Sequence, residues 1–265
     1  MTADALDKLA KARAVLDGQS PRARGAEKQR IALDWVYRWG WTSSQILDLA
    51  TGGGRAGIAA RLVKNMLLRA TKTETGGSVK GIPIHMLTLT ETGLDEAERH
   101  REDLIKYEMD PYRIDQTKLR HDSLSQMSSA NALKNEIITG FKTPRELLAR
   151  SSKDVKQPDI IWIQNDLKRL GVEVELTAKW DRKLDQFVKS SLVSMSENAQ
   201  EINKVDTILL VSDSKAIIKR YREAFTPGAE FGLWAKNDRG FWTETKKIKV
   251  PEWVEGKIRC QLIDY

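Results

Sequence analysis

Two neighbouring segments with the periodicity of β-strands constrain this sequence most. An apolar run occupies residues 160–163, and residues 172–176 alternate between apolar and acidic side chains. The polar stretch between them ends in glycine and predicts a turn. Because side chains two apart on a strand share one face, Glu173 and Glu175 are expected to project together. If the strands pair as a hairpin, Asp159 joins these two acids.

Three carboxylates that meet at one point predict a site for a divalent cation. Like charges disfavour each other's ionised forms unless a cation lies among them. Asp159, Glu173 and Glu175 offer hard oxygen ligands, which select Mg²⁺ or Mn²⁺ and leave room for a substrate phosphate. Lys179 lies close enough in sequence to stabilise charge that develops on that phosphate. The alternative is structural, because an alternating acidic strand also forms the solvated face of ordinary hairpins.

Composition bounds the class of protein. The chain has 265 residues, enough for one large or two ordinary domains, with 40% hydrophobic and 31% charged residues. No apolar run approaches the ~20 residues of a membrane helix, which predicts no membrane insertion. Asp4 and Asp7 argue against a secretory signal, and a single cysteine, Cys260, excludes an intrachain disulfide, so we expect a cytoplasmic protein. The net charge of +7 is compatible with a polyanionic partner.

The N-terminal part of the chain predicts a DNA-binding domain. Residues 1–25 are expected to form a loosely attached arm that ends in a linker. Helices are predicted at 26–39, 43–50 and 55–70, and a strand at 82–89. Three short helices and a two-stranded wing predict a winged helix-turn-helix over residues 26–97.

The third predicted helix is basic, with no acid between residues 54 and 73. A row of cations on a helix suits the major groove of DNA and its phosphates. Winged helices also dock proteins, and that alternative stays open. The candidate DNA-binding residues are Arg55, Arg61, Lys64, Arg69, Lys72 and Lys80.

The remainder, residues 98–265, predicts a mixed α/β sheet with helices on its faces. A charged helix at 94–107 leads into it. Further helices are predicted at 114–133, 180–195 and 214–225, strands at 136–141 and 206–212, and a terminal hairpin at 231–234 and 240–243. Aromatic residues of the basic tail, among them Trp242, either stack single-stranded bases or cap an edge of the core.

The order of the acids and the lysine resembles the PD-(D/E)xK nuclease superfamily. It is more closely similar to the MobC family of MOBC-type plasmid relaxases, which shares ancestry with the replication-relaxation proteins. The matching residues are Pro158-Asp159, Glu173-Val174-Glu175 and Lys179. In the parent superfamily the lysine falls two residues after the acid, where this chain has Glu175 or Thr177. An extended strand would carry Lys179 ~13 Å beyond Glu175, so the strand must end and fold back.

The resemblance implies a metal-dependent DNA relaxase with a restriction-endonuclease-like sheet, which nicks one strand at a plasmid transfer origin. It implies Mg²⁺ or Mn²⁺ as cofactor, with His121 and Gln126 lining the catalytic site. The implied partners are double-stranded origin DNA, the nicked single strand, and accessory mobilisation or coupling proteins. The nucleophile is either a metal-bound water or one of Tyr107, Tyr112 and Tyr221.

Two other functions stay open at the level of the sequence. One is a non-catalytic DNA-binding protein of replication control with a degenerate nuclease fold. The other is a defence or restriction nuclease unrelated to plasmid transfer.

Overall fold

A computed structural model describes residues 20–52, 57–99, 101–148, 157–197, 199 and 201–263. The chain forms two compact units, Met1–Thr71 with His85–Pro111 and Lys72–Ile84 with Tyr112–Tyr265. Most of the predicted arm at 1–25 lies outside the described residues, and the predicted domain limits stay predictions. Among the described helices, none has the length and apolar character to span a membrane.

The N-terminal elements are three helices, two strands and a further helix, within the part of the chain that is described. They are α1 (Pro21–Trp39), α2 (Ser44–Ala50), α3 (Ile58–Lys64), β1 (Leu68–Lys72), β2 (His85–Leu89) and α4 (Glu91–Glu98). β1 and β2 form a two-stranded sheet, and Thr42 adds an antiparallel bridge to Leu87. Trp35, Val36 and Leu62 are buried in this unit.

Helix α1 begins earlier than the sequence predicts. The Ser20 side chain accepts a hydrogen bond from the Ala23 amide at 3.1 Å, and Pro21 occupies the first turn, where its missing N–H costs nothing. The predicted linker at 19–26 is therefore wrong from Pro21 onward. The predicted end of the helix at Gly40 is correct, because this glycine adopts the left-handed conformation that closes a helix.

The predicted helix at 55–70 is wrong in its second half. Helix α3 ends at Lys64, Met66 takes a positive φ of 56°, and the chain continues as strand β1. The run Met66-Leu67-Leu68 is too short for its periodicity to separate helix from strand.

Helix α4 is shifted towards the N-terminus relative to the predicted helix at 94–107. Thr90 caps it by accepting a hydrogen bond from the Gly93 amide at 3.1 Å. After the helix, residues 101–110 form no helix or strand, and hydrogen bonds of two tyrosine hydroxyl groups hold this segment in place. The Tyr37 hydroxyl bonds both backbone groups of Ile105, and the Tyr107 hydroxyl donates to the carbonyl of Gly40.

The C-terminal unit is organised around a mixed five-stranded sheet in the order β3-β4-β5-β6-β9. The pairs β3–β4 and β4–β5 are antiparallel, whereas β5–β6 and β6–β9 are parallel. The elements are α5 (Leu119–Lys134), β3 (Ile138–Lys142), α6 (Pro144–Leu148), β4 (Ile160–Gln164), β5 (Arg169–Val174), α7 (Asp181–Ser194), β6 (Thr207–Ser212), α8 (Lys215–Ala224), β7 (Glu230–Lys236), β8 (Trp242–Lys249) and β9 (Ile258–Leu262). The mixed α/β class is thus confirmed.

Helices pack against this sheet through an apolar core. Ile161 and Leu210 from the strands pack with Phe187 of α7 and Tyr221 of α8 in one buried cluster. The Trp162 indole donates to the Ser129 hydroxyl of α5 at 2.9 Å. Because neighbouring residues on a strand point to opposite faces, α5 covers the face opposite to α7 and α8.

Two strand predictions need correction. Residues 164–171 were expected to form a turn, but β5 already begins at Arg169, whose amide donates to Asp206 at 2.7 Å. Strand β9 was not predicted, although its residues alternate between apolar and polar side chains. Its place in the sheet depends on pairing with β6, which joins residues about fifty positions apart. The terminal hairpin was predicted, and β7 and β8 are both longer than expected.

Gly93 is expected to tolerate no side chain. A Cβ built at this position would lie 1.9 Å from the carbonyl oxygen of Leu67, which is a backbone atom. Gly93→Ala should therefore lower the free energy of unfolding by about 1–3 kcal/mol, as overpacking does elsewhere. Urea denaturation followed by circular dichroism measures the change.

Gly25→Ala is the matched control in the same unit. Gly25 lies inside α1, where an added Cβ would have only a side-chain nitrogen of Arg61 at 3.8 Å. This substitution should be neutral or stabilise by up to about 1 kcal/mol. An equal loss of stability from both substitutions would contradict the close approach at Gly93.

Candidate active site

Asp159 is held at the end of the β4–β5 pair. Ile160 lies opposite Val172, and continuing this register by one residue brings Asp159 opposite Glu173. The Val174 amide donates to Asp159 Oδ2 at 2.8 Å. The hairpin that the sequence predicts is therefore present, and it brings Asp159 beside the acidic strand.

Glu173 and Glu175 are buried, with relative exposures of 5% and 6%. Glu173 pairs with Leu210 in the parallel register, and the Glu175 amide donates to the Val211 carbonyl at 2.8 Å. Glu173 near the end of β5 and Glu175 directly after it consequently do not mark a solvated face. Buried carboxylates need cations or hydrogen-bond donors to offset their loss of hydration.

Lys179 supplies one of these cations. The chain leaves the strand after Val174 and bends, and the Lys179 ammonium forms an ion pair with Glu175. The same ammonium lies 4.7 Å from the ring centroid of Phe187, within range of a cation–π contact. The strand end thus folds the lysine back onto the acid, as the motif requires.

His121 is a second cation at this site, and its carboxylate partners are Asp122 and Asp159. It lies in the first turn of α5, with Nδ1 3.1 Å from Asp122 Oδ1 and Nε2 3.1 Å from Asp159 Oδ2. Burial lowers the pKa of His121, but hydrogen bonds to the two carboxylates and their charges outweigh it and raise the pKa to about 10. The ring is therefore protonated at neutral pH, when both nitrogens are donors.

These side chains line one pocket of about 490 Å³. Arg120, which sequence reasoning missed, also lines it and forms an ion pair with Asp213. Its position directly before His121 was the available signal. Gln126 is fully buried in α5 and is not part of the pocket lining in the described residues. The lining residues are Thr117, Arg120, His121, Asp159, Glu173, Val174, Glu175, Leu176, Thr177 and Lys179.

The three tyrosines differ sharply in their surroundings. Tyr112 is 83% exposed, whereas Tyr107 is buried and its hydroxyl bonds the backbone of Leu89 and Gly40. Tyr221 is buried beside the acids. Burial and then the charge of Glu175 raise the pKa of the Tyr221 phenol well above its ordinary value, so this phenol is a poor nucleophile.

The donor chemistry of the pocket fits a hard divalent cation, because Asp159, Glu173 and Glu175 all offer carboxylate oxygens. Within the described ranges, however, no group of three or more histidine, cysteine or acidic side chains is already arranged to hold a metal ion. Asp159 and Glu175 are each paired with a cation of the chain. Metal binding would therefore have to displace or reorient His121 and Lys179.

The candidate DNA-binding residues are distributed over different elements. Arg55 lies outside the described residues. Arg61 and Lys64 lie on α3. Arg69, which was predicted to lie on the same helix, lies with Lys72 on β1. Lys80 lies between β1 and β2. All five described cations are exposed.

His121 is expected to titrate far above an ordinary histidine. In metal-free protein, NMR titration of its ring should give a midpoint near 10, because the Asp122 and Asp159 carboxylates stabilise the imidazolium. Asp159→Asn should lower this midpoint by removing one of the two charges. His121→Gln assigns the signal among the three histidines of the chain.

The same pairing predicts the direction of a stability change with pH. The pKa of His121 is raised in the folded state, so its contribution is fully present below about 6.5 and is lost as pH rises towards about 10. His121→Gln should flatten this part of the stability profile. A wild-type ring midpoint near 6.5 would contradict both expectations.

Comparisons with known proteins identify no protein similar to this chain. No protein-family model matches the chain, no curated protein matches it in sequence, and no solved structure matches its fold. The resemblance to the MobC family therefore stays a prediction that depends on the motif residues alone.

Proposed function

We propose that this protein is a metal-dependent endonuclease that nicks DNA. The observation that carries the proposal is the meeting of Asp159, Glu173, Glu175 and Lys179 at one pocket. Asp159 comes from one strand end and the other three from the next, and two of the acids are buried at a cost to stability. Perturbed ionisable groups collected in a cleft are typical of catalytic sites.

Each side chain has a role that follows from its charge and position. Asp159, Glu173 and Glu175 would hold the ion, and bound Mg²⁺ or Mn²⁺ would polarise the phosphate and activate water. Once released from Glu175, Lys179 stabilises negative charge that develops on the phosphate. Protonated His121 and Arg120 at the pocket attract and orient the phosphate.

The order of elements supports a nuclease-like fold as part of this proposal. Helix α5 precedes the sheet, and the first three strands of the sheet pair antiparallel. Helix α7 then leads to the parallel strand β6. The order of the three N-terminal helices and the β1–β2 sheet, with the Thr42–Leu87 bridge, supports a winged helix as part of this proposal. The exposed Arg61 and Lys64 on α3 are then its contacts to DNA phosphates.

The biological setting is the most specific part of the proposal. By resemblance to MobC relaxases, the enzyme would nick one strand at a plasmid transfer origin in the cytoplasm. Its partners would be origin DNA, the nicked strand and accessory mobilisation or coupling proteins. With Tyr107 and Tyr221 buried, metal-bound water is the favoured nucleophile over these two tyrosines.

A second candidate function has its own supporting observation. Asp159 is paired with His121, and Glu175 with Lys179, so two of the three acids already have counter-charges. A degenerate nuclease core that no longer binds metal would be stabilised in this way. The protein would then bind DNA in replication control without cutting it.

Cleavage assays separate the candidates. Supercoiled plasmids with and without a transfer origin are incubated with protein and Mg²⁺, Mn²⁺ or EDTA. Metal-dependent nicking of origin plasmid alone supports the relaxase, cutting of both plasmids indicates a defence or restriction nuclease, and binding without cutting supports the replication-control protein.

Glu173→Gln is expected to abolish nicking. It keeps the shape of the buried side chain but removes the charge of a metal ligand. Because loss of partners that only orient metal ligands costs 10–100-fold, loss of this ligand should cost more than about 100-fold in rate. Gel quantification of nicked plasmid measures the effect.

Glu223→Gln is the matched control, because it removes the same charge from an exposed residue of α8 that pairs with Lys219. Its nicking rate and the duplex affinity of both variants should equal those of the wild type. Wild-type nicking by Glu173→Gln would refute the catalytic assignment.

Arg61→Ala with Lys64→Ala is expected to weaken duplex binding and to flatten its salt dependence. Each lost phosphate contact should reduce the slope of log K against log salt by about 1. Fluorescence anisotropy at several salt concentrations measures the slope. Arg22→Ala with Arg30→Ala removes equal charge from exposed positions on α1 and should leave the slope unchanged. An unchanged slope in the first variant would remove α3 from the DNA interface.

A further inference from the structure

Two exposed tryptophans lie near the start of α7, each with an arginine against its ring. Trp180 directly precedes the helix and is 57% exposed, and Arg220 Cζ lies 3.1 Å from its ring centroid. Trp242 at the start of β8 is 42% exposed, and Arg182 Cζ lies 4.6 Å from its ring centroid. The two pairs are Trp180/Arg220 and Trp242/Arg182, and both involve the first turn of α7 or its cap.

Both pairs include a residue that closely follows the pocket lining along the chain. Lys179 lines the pocket, Trp180 is the next residue, and Arg182 follows two residues later. The β7–β8 hairpin is fixed to α7, because the Trp234 indole donates to Asp185 Oδ2 at 2.8 Å. The hairpin that carries Trp242 is therefore attached to α7 by a contact independent of the Trp242/Arg182 pair.

The chemistry of these pairs suits unpaired bases. A large indole surface left in water gains free energy when a ligand covers it, so each of these rings offers an apolar contact surface. An arginine against the ring orients it and brings positive charge for a phosphate, while the exposed remainder is available for stacking. Indole rings stack on any base, whereas bases inside a duplex are already stacked on one another.

We propose that Trp180/Arg220 and Trp242/Arg182 form a stacking surface for unpaired bases of single-stranded DNA next to the pocket. The inference rests on the proposed function, in which the nicked single strand is a partner of the enzyme. Lys236, whose ammonium lies 5.6 Å from the Trp242 ring centroid, and the exposed Lys246 and Lys247 on β8 extend the positive charge along the hairpin.

The test measures single-strand affinity apart from cleavage. A labelled oligodeoxythymidine of about twelve residues is titrated with full-length protein in EDTA and followed by anisotropy. Trp180→Ala and Trp242→Ala should each weaken binding about tenfold, the effect expected from loss of one stacked base. Trp180→Phe and Trp242→Phe should retain most of the affinity, because phenylalanine keeps an aromatic face.

Trp253→Ala is the matched control. Trp253 is also 42% exposed and also has a cation against its ring, Lys257 at 4.8 Å. It lies at the opposite end of the sheet, since the Lys257 carbonyl accepts from Ile208 at the start of β6 while Val211 near the end of β6 bonds Glu175. Its removal should leave single-strand affinity unchanged.

A strand with abasic sites at its central positions distinguishes stacking from charge. The wild type should bind this abasic strand about as weakly as Trp180→Ala binds the intact strand. Trp180→Ala should show no further loss of affinity when the intact strand is replaced by the abasic strand. Equal affinity of intact and abasic strands, or equal losses from Trp180→Ala and Trp253→Ala, would overturn the proposal. Unchanged single-strand affinity in both alanine variants, together with loss of binding to an accessory protein, would assign the surface to a protein partner and overturn it as well.

Failure of the proposed function gives a different result. One such result is that cleavage is equal in Glu173→Gln and the wild type, or absent from both, while the tryptophan variants lose single-strand binding. That result would support the stacking surface and refute the proposed nuclease activity. If cleavage depends on Glu173 but single-strand binding ignores both tryptophans, the nuclease stands without the surface.

Discussion

The carboxylate of Asp159 accepts a hydrogen bond from the Val174 amide and pairs with His121, and the geometry of the C-terminal unit depends on this junction. The amide contact ties the start of β4 to the end of β5. The histidine contact ties both strands to the first turn of α5. A single side chain thus positions three elements around the pocket, and together with Asp122 it raises the pKa of the histidine.

Glu173 and Glu175 raise the electrostatic cost of this arrangement. Both are almost fully buried, where an ionised carboxylate loses most of its hydration. Lys179 offsets part of that cost at Glu175, and its ammonium lies over the ring of Phe187 in the core. Replacement of buried ion pairs by hydrophobic residues of similar size is often neutral or stabilising, so stability of the fold does not by itself account for these charges.

The strand pair and its acids could be predicted because their signals are local. The alternation from Val172 to Leu176 predicted a strand, which in the structure ends at Val174, and the two acids still line one pocket. The end of α1 at Gly40 and the cap at Ser43 were likewise predictable from residue type. Where apolar runs were short, as at Met66-Leu67-Leu68, periodicity could not separate a helix from a strand.

The sequence by itself determined the mixed α/β class, the pairing of β4 with β5 and the shared face of Glu173 and Glu175. Only the tertiary structure decided that this face is buried, that Lys179 folds back onto Glu175, that His121 reaches Asp159, and that β9 completes the sheet. It also decided that Gln126 is buried away from the pocket lining and that two tryptophans stay exposed beside arginines. The physical reason is the distance along the sequence over which each interaction acts. Periodicity and capping act within a few residues, whereas burial, ion pairing and sheet order depend on packing between segments that the sequence places far apart.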